Sequence, residues 1–405
     1  MRLNLSLLTL SLAAAVPACS WSTFDDLANT MWVNSIDKPD VGSSDYGVGL
    51  IGASTGTSGG RVAVLGNDVP GYSTLHYDAH GGVSVGPNPQ KLGQHFISAL
   101  ADQPILITDG TGRIALVNAA IDANQVEVGI GDADTIADAP FAGAPPQDAV
   151  FARTSGSTPA NLIVAAGPNV YTLDGTTPSD TTKTKTCTVF AATGSTAAAI
   201  GIDDQTLWLW TTTGALVGYH LSPTLANCTV STSGTPTTPD VTGPTSAFAP
   251  IAGSKMYVIG SSTDAHEWAI LAGHDTMGHG AVSVVDLKAL APVGTAISAD
   301  GLRTSAFSTV GAAGSTTMMI ALGYPAREIN GTSGGQVELY SFDTTTGALS
   351  TAPIALLNDA QPSDAELFGR ALGFDSFNGA TILVVGASNK VFTYFRTLLY
   401  AETRQ

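Results

Sequence analysis

The histidine-rich region of the sequence carries the residue types best suited to metal chemistry. His266 and Glu267 stand at its start, and His274, Asp275 and His279 follow a few residues later. Imidazole and carboxylate groups are common ligands of zinc and other transition metals. The spacing is not the His-Glu-x-x-His pattern that places two imidazoles on one face of a helix. We therefore expect a long polar loop between two strands, name His266, His274, Asp275 and His279 as the place to seek a metal, and assign no metal or other cofactor.

Two glycine-rich patterns match the residue sequence of known motifs but not the secondary structure that those motifs require. Residues 47–52 satisfy the dinucleotide fingerprint, whose phosphate contact requires a helix after the last glycine. The residues that follow, 53–60, consist mainly of Gly, Ser and Thr and predict no helix. Three Gly-x-Ser-x-Gly matches, around Ser54, Ser58 and Ser333, are chance products of a Gly- and Ser-rich chain and predict no strand-to-helix elbow. We predict no catalytic residue.

The composition favours short strands and excludes one class of partner. Charged residues make up 12% of the 405 residues, and 45 residues are glycine. A soluble domain usually has about 25% charged residues, so this chain has few candidates for the charged outer face of amphipathic helices. The net charge is −17 with only 16 Lys and Arg. Because phosphate binding needs clustered basic side chains, we exclude a nucleic-acid partner.

The amino terminus predicts export. Residues 5–16 form an apolar run that is shorter than the ~20 residues of a membrane span and typical of a signal peptide. The Val-Pro-Ala-Cys sequence that ends at Cys19 resembles the lipobox of bacterial lipoproteins, in which the cysteine is lipidated and becomes the first mature residue. The resemblance implies a signal peptide over 1–18, a lipid on Cys19 that anchors the chain to a membrane, and, from Ser20, the outer membrane of a bacterial cell envelope. The alternative is an ordinary signal peptide cleaved near Ala18.

Two cysteines remain if Cys19 carries lipid. In an oxidising compartment, an even number of remaining cysteines predicts a disulfide, here between Cys187 and Cys228. The bond would close a loop of roughly 40 residues and contribute about 3–4 kcal/mol to stability. No Cys or His lies near either thiol in a zinc-ligand spacing, so a zinc site is not predicted.

A repeated unit predicts the fold. Each copy has a short apolar strand ending in Gly or Ala, followed by a strand of alternating aromatic and β-branched residues, and seven copies recur with a period of roughly 50 residues. One such sheet cannot bury both of its faces, whereas radial stacking of sheets buries them. We predict an all-β fold, a single β-propeller over residues 41–400 with about seven blades of four antiparallel strands, six or eight blades being the alternatives, preceded by a lipid-anchored segment and first strand over 19–40. The strand pairs are expected at 61–66 and 73–78, 104–108 and 113–117, 161–167 and 169–174, 205–210 and 216–221, 255–260 and 281–286, 317–323 and 335–343, and 381–388 and 390–395.

Several of these units resemble one repeat family. Phe368-Gly369 with Val385-Gly386-Ala387, and Tyr46-Gly47 in the first unit, are similar to the FG-GAP repeat, the blade motif of integrin α-chain propellers and related bacterial proteins. The stretch 332–340 is similar to the strand entry of that family. Many such repeats bind calcium through an Asp-x-Asp-x-Asp-Gly loop. The acidic pairs of this chain, such as Asp203-Asp204, lack the third ligand and the turn glycine, so calcium is not predicted.

These features together favour a binding function. A rigid propeller presents its loops at two faces, where binding residues are usually found. We expect a non-enzymatic cell-envelope binding or scaffolding lipoprotein whose ligand is an unidentified protein or glycan. One alternative is an extracytoplasmic propeller hydrolase or lyase acting on glycans, which requires carboxylates that converge in the central channel. The other alternative is a purely structural envelope component.

Overall fold

The structure, a computed structural model, describes the chain in two parts. Nine strands between Trp32 and Ile136 are described by the course of their backbone, and residues 146–395 are described with gaps. The burial of side chains is described from residue 147 onward. Among the described residues, no helix has the length and apolar composition to cross a bilayer. The gaps after residue 146 are 153–160, 174–184, 190–194, 223, 226–237, 252–253, 309–315, 360–366, 378–379 and 388–389.

The described chain is built from 28 short strands. Val, Ile, Leu, Thr and aromatic residues together make up more than half of them, as expected for pleated surfaces that are packed on at least one side. The strands are β1 Trp32–Asp37, β2 Gly49–Ser54, β3 Gly60–Leu65, β4 Tyr72–Tyr77, β5 Val83–Gly86, β6 His95–Phe96, β7 Ile105–Thr108, β8 Ile114–Ile121, β9 Glu127–Ile136, β10 Pro146–Ala152, β11 Asn161–Ala166, β12 Asn169–Leu173, β13 Lys185–Thr188, β14 Ala197–Ile202, β15 Thr206–Thr211, β16 Ala215–His220, β17 Val241–Thr245, β18 Lys255–Ile259, β19 Trp268–His274, β20 Gly280–Asp286, β21 Ala291–Ser298, β22 Thr304–Phe307, β23 Thr317–Tyr324, β24 Gln336–Asp343, β25 Ala355–Leu357, β26 Ala371–Phe377, β27 Ala380–Gly386 and β28 Lys390–Phe395.

Consecutive strands pair antiparallel into four-stranded sheets. The first six sheets are β2–β5, β6–β9, β10–β13, β14–β17, β18–β21 and β22–β25, and the seventh has the order β26-β27-β28-β1. In the seventh sheet, β1 from the start of the chain pairs with β28 from its end, and Trp32 lies opposite Phe395. The two ends of the described chain are therefore joined in one sheet.

The sheets are arranged radially, with the first strand of each sheet innermost. The first strands β10, β14, β18, β22, β26 and β2 follow one another in contact, and β2 also contacts β6. Because the third to seventh sheets pack each against the next, the seventh packs against the first and the first against the second, the chain is an all-β propeller, as predicted. The described strands form seven four-stranded sheets. The number of blades in the closed ring remains a prediction.

The predicted strand pairs correspond to the second and third strands of the sheets, with one error. In the fifth sheet, the predicted pair of 255–260 and 281–286 takes the first strand, β18, and the third, β20. The second strand, β19, occupies what was expected to be a loop. All seven residues of β19 are buried, because the neighbouring sheets cover it on both faces.

The propeller has two faces, defined by its turns. Turns between the first and second strands, and between the third and fourth strands, lie on one side. In the seventh sheet this is the side where Phe377 pairs with Ala380 and Ile382 pairs with Phe395. Because Trp32 pairs with Phe395, β1 begins there, and we name this side the entry face. The opposite side, with the turns between second and third strands and the connections between sheets, is the far face.

Two aspartates close turns on the entry face at the ends of third strands. Asp286 Oδ1 accepts hydrogen bonds from the backbone N–H groups of Lys288 and Ala289, and Asp343 Oδ1 accepts from those of Thr345 and Thr346. In each turn the residue four positions after the aspartate has a positive φ, 52° at Leu290 and 70° at Gly347. The aspartate supplies the acceptor for this tight turn into the fourth strand.

The seam between the sixth and seventh sheets has no room for side chains on its glycines. Phe368 is fully buried, and its backbone N–H donates to the carbonyl of Gly334 at 2.9 Å. Gly335 forms a parallel bridge with Phe368 and has a φ of +88°. A Cβ on Gly335 would lie 2.2 Å from the Phe368 carbonyl oxygen, and one on Gly323 would lie 2.1 Å from the carbonyl oxygen of Gly369. The glycines permit two backbones to touch.

We predict that Gly335→Ala destabilises the protein much more than Gly331→Ala does. Both glycines have positive φ, +88° and +82°, but a Cβ on Gly331 meets no atom within 4 Å. The control should lose about 1–2 kcal/mol for its left-handed backbone alone, and Gly335→Ala should lose about 3 kcal/mol or more because the backbone contact must open. Urea unfolding measures both values, and equal losses would contradict this account of the seam.

Candidate functional site

The predicted metal group is divided between the two faces of the propeller. His266 precedes β19 on the entry face, and His274 ends β19 on the far face. Seven residues of strand span about 23 Å, so the two imidazoles cannot share an ion. The expected loop is therefore wrong in this region. Among the described residues, no three His, Cys, Asp or Glu side chains come together in an arrangement that holds a metal ion.

On the entry face, His266 packs into the sheet edge. Its ring stacks on the buried indole of Trp268 with centroids 4.9 Å apart, and its Nδ1 lies 3.2 Å from Asp286 Oδ2. Burial acts to raise the pKa of Asp286, but the N–H of Ala289, the His266 ring and the N–H of Lys288 outweigh it and hold that pKa below its usual value. His266 thus completes the closed turn at Asp286.

On the far face, the remaining members close the turn between β19 and β20. Asp275 Oδ1 accepts from the backbone N–H groups of Met277 and His279, and its Oδ2 lies 3.2 Å from His279 Nδ1. His274 is buried, and its pKa lies below the usual value because of that burial and the nearby positive charge of Arg303. Asp275 thereby holds the backbone of the tip residue Met277, which is 80% exposed.

The predicted cysteine sites fall largely outside the described residues. Cys187 is disulfide-bonded and lies in β13, buried against the core between the third and fourth sheets. Cys228 and Cys19 lie outside the described residues. The pairing of Cys187 with Cys228 and the lipidation of Cys19 remain predictions.

A buried carboxyl pair, not foreseen from the sequence, joins the fourth and fifth sheets. Asp203, in the turn after β14, accepts from the backbone N–H groups of Gln205 and Thr206, both at 2.6 Å, and from Trp208 Nε1 at 2.9 Å. Glu267, which precedes β19, is 5% exposed and hydrogen-bonds to the Asp203 carboxylate. No local sequence pattern predicts this contact, because its two partners are 64 positions apart in the chain.

The environment of Glu267 keeps it protonated at neutral pH. Burial, followed by the hydrogen bond and negative charge of Asp203, raises its pKa to about 8, although Lys288 acts in the opposite direction. Its Oε1 has no hydrogen-bond partner among the described residues. A neutral carboxyl group is the form of Glu267 that can donate to Asp203 and remain buried in this seam.

The carboxyl pair does not have the geometry of a glycosidase. Glycosidases separate their two carboxyl groups by about 5–9.5 Å to admit the sugar or a water. Asp203 and Glu267 are in direct hydrogen-bond contact, and both are buried. The pair therefore binds one sheet to the next.

Above the carboxyl pair, polar contacts order an exposed turn of the entry face. The Asp204 carboxylate accepts from the backbone N–H and the hydroxyl of Ser262 across the seam, both at 2.6 Å. Lys288 Nζ donates to the carbonyl oxygens of Ser262, at 2.9 Å, and of Asp264. The turn from 260 to 267 is thus held from two sides while its residues 262–266 remain exposed.

On the far face, Arg327 anchors the loop between β23 and β24. Its guanidinium lies 3.8 Å from the ring centroid of Tyr324 and donates to Gln336 Oε1, at 2.8 Å, and to Glu338 Oε1. Glu338 Oε2 accepts from the hydroxyl of Tyr340 at 2.9 Å. This network orders a loop that sequence reasoning had assigned only as a strand entry.

Near the axis, the innermost strands are joined by one acidic group. Asp148 in β10 accepts from the backbone N–H of Ile200 in β14 at 2.9 Å, and its Oδ1 lies 3.7 Å from Lys255 Nζ in β18. Asp148 is 5% exposed. This carboxylate therefore ties three consecutive sheets together.

We predict that Glu267→Gln removes a pH dependence of stability. The pKa of Glu267 is raised from 4.5 to about 8 on folding, so the folded chain binds more protons between these values and the free energy of unfolding falls as the pH rises through them. From pH 5 to pH 8 the wild-type chain should lose about 1–3 kcal/mol more than Glu267→Gln, measured by urea unfolding. Glu328→Gln, at an exposed far-face position, should keep the wild-type slope. Parallel slopes for wild type and Glu267→Gln would refute the assignment.

Comparison with known proteins does not identify a family for this chain. No protein-family model and no curated protein sequence matches this chain. Among solved structures, it is similar to a chain in the crystal structure of a mitotic checkpoint complex, with 12% identity and a TM-score of 0.48 over 90% of this chain and 94% of that chain. The propeller fold of this protein therefore rests on its strand pairing.

Proposed function

We propose that the protein is a non-enzymatic binding or scaffolding lipoprotein of a bacterial cell envelope, anchored through a lipid on Cys19. The observation that carries the binding role is the order of its exposed turns. Asp204 and Lys288 hold the turn at Ser262 on the entry face, and Arg327 and Glu338 hold a loop on the far face. Polar groups fixed in advance on a rigid frame lose little entropy when a ligand binds. The ligand class is an envelope protein or glycan.

The anchor and the repeat family belong to the same proposal. The apolar run over 5–16 and the Val-Pro-Ala-Cys sequence ending at Cys19 support a lipoprotein signal, and Ser20 favours the outer membrane. An FG-GAP-like repeat is supported by Phe368, which is fully buried, and by Gly369, whose φ is +87°. In that position the dipeptide starts a blade and touches the preceding one.

The glycan-active enzyme is the weaker alternative for the described residues. The Asp203–Glu267 pair is buried in a seam, and the Asp148 carboxylate is engaged by Ile200 and Lys255. A two-carboxylate mechanism needs both groups to reach the substrate. Neither arrangement provides that access.

We predict that Cys19→Ser releases the protein from membranes. The wild-type chain, expressed in a Gram-negative host, should sediment with the outer membrane, and its mature mass should include acyl groups on Cys19, because several acyl chains anchor a protein stably. Cys19→Ser should appear in the soluble fraction. Soluble wild-type protein, or a mature chain without the acyl mass, would refute the anchor.

We also predict saturable binding without turnover. Purified mature protein should bind one class of isolated envelope glycan or envelope protein, and a substitution that releases an ordered turn of the binding face should weaken that binding by about tenfold, or ~1.4 kcal/mol. Arg327→Gln releases the far-face loop and Lys288→Gln the entry-face turn, so the variant that loses affinity identifies the binding face, and circular dichroism checks their folding. Release of glycan products that is lost on Glu267→Gln would favour the enzyme instead, and the absence of saturable binding would refute the binding role.

A further inference from the structure

The direction in which the chain enters the propeller is fixed by one strand pair. β1 is the outermost strand of the seventh sheet, and its first residue, Trp32, lies opposite Phe395, the last residue of β28. Phe395 in turn lies opposite Ile382, two residues after β27 begins at Ala380. The chain therefore enters the propeller, and leaves it after β28, at the rim of the entry face.

Contacts between sheets show that the fourth to seventh sheets share this face. Asp204 and Ser262 link the entry-face turns of the fourth and fifth sheets. Trp268 of the fifth sheet donates from Nε1 to the Thr344 carbonyl, in the entry-face turn of the sixth, at 2.8 Å. On the opposite side, Gly335 of the sixth sheet bridges to Phe368, which precedes β26 of the seventh. All four sheets thus have the same orientation.

The distance from the proposed anchor to the propeller is short. Thirteen residues lead from Cys19 to Trp32. A flexible chain of that length has a root-mean-square span of about 20 Å, and a helical one is also about 20 Å long. A strand such as β19 spans about 23 Å between the faces. Turning the far face to the membrane would require the tether to run stretched along the full thickness of the rim, which a fully extended chain of that length, about 45 Å, can do only by losing its conformational freedom.

We propose that the entry face of the propeller is held toward the lipid surface. This inference rests on the proposed lipid anchor and adds the orientation of the molecule. The entry face carries three exposed carboxylates, Asp204, Asp240 and Asp264, which repel an anionic lipid surface. The proposed orientation therefore depends on the tether and not on charge attraction to the lipid.

The orientation can be measured with thiol reporters in the acylated full-length chain. Ala265→Cys places a label on the entry face and Met277→Cys places one on the far face, both at exposed positions. The protein is reconstituted into phosphatidylcholine vesicles that contain an acceptor dye on the lipid headgroups. Energy transfer from the label at 265 should exceed that from the label at 277 by about twofold or more, given a face-to-face separation of about 23 Å, and 0.5 M salt should leave this ratio unchanged.

The controls separate failure of the orientation from failure of the anchor. The parent chain, without an introduced thiol, must not take up label, and mass spectrometry must show acyl groups on Cys19. Thr345→Cys and Ala326→Cys form a second pair of exposed positions on the entry and far faces, in case the first pair disturbs folding. Acylated protein with equal transfer from both faces, or with greater transfer from the far face, overturns the orientation. A chain that lacks acyl groups overturns the anchor instead.

Discussion

The structure depends on one constraint, which is that a sheet with an apolar second strand must be covered on both faces. All six residues of β15 and all seven of β19 are buried. Fully burying a large apolar side chain contributes about 1.5–3 kcal/mol, so each of these strands makes a large contribution that exists only while two neighbouring sheets are in place. Radial stacking is the arrangement that supplies such a sheet with two neighbours, and the β1–β28 pair completes the seventh sheet.

Because the seams between sheets are buried, each polar group in them needs a hydrogen-bond or charged partner. The Asp148 carboxylate accepts from the N–H of Ile200 and lies near the charge of Lys255. Asp203 takes three N–H donors, and Glu267 beside it remains neutral by holding a proton. These contacts connect successive sheets at defined positions, where apolar packing alone would leave their relative position less specified. The carboxyl groups of the seams are therefore explained by assembly of the ring.

Ring closure also connects the fold to the proposed attachment. The first described strand completes the last sheet, so the described chain begins and ends on the same side of the molecule. The ordered turn at Ser262 lies on the entry face and the ordered loop at Arg327 lies on the far face. With a lipid on Cys19, the first would be near the membrane and the second would be away from it. Binding and anchoring can be divided between the faces without any change in the fold.

Much of the fold could be read from the sequence, because the information for short strands is local. Alternating and fully apolar runs gave the second and third strands of six sheets, and a sheet with two apolar faces implies radial stacking. The strand β19 was missed, because its Ala and Gly content and the histidines at and around its ends resemble a polar loop. The residues named as the place to seek a metal are close in sequence but are divided by the length of that strand. The Asp203–Glu267 contact and the common entry side of the two chain ends were decided only by tertiary structure, because they arise when distant turns are brought together by stacking of neighbouring sheets and by the β1–β28 pair.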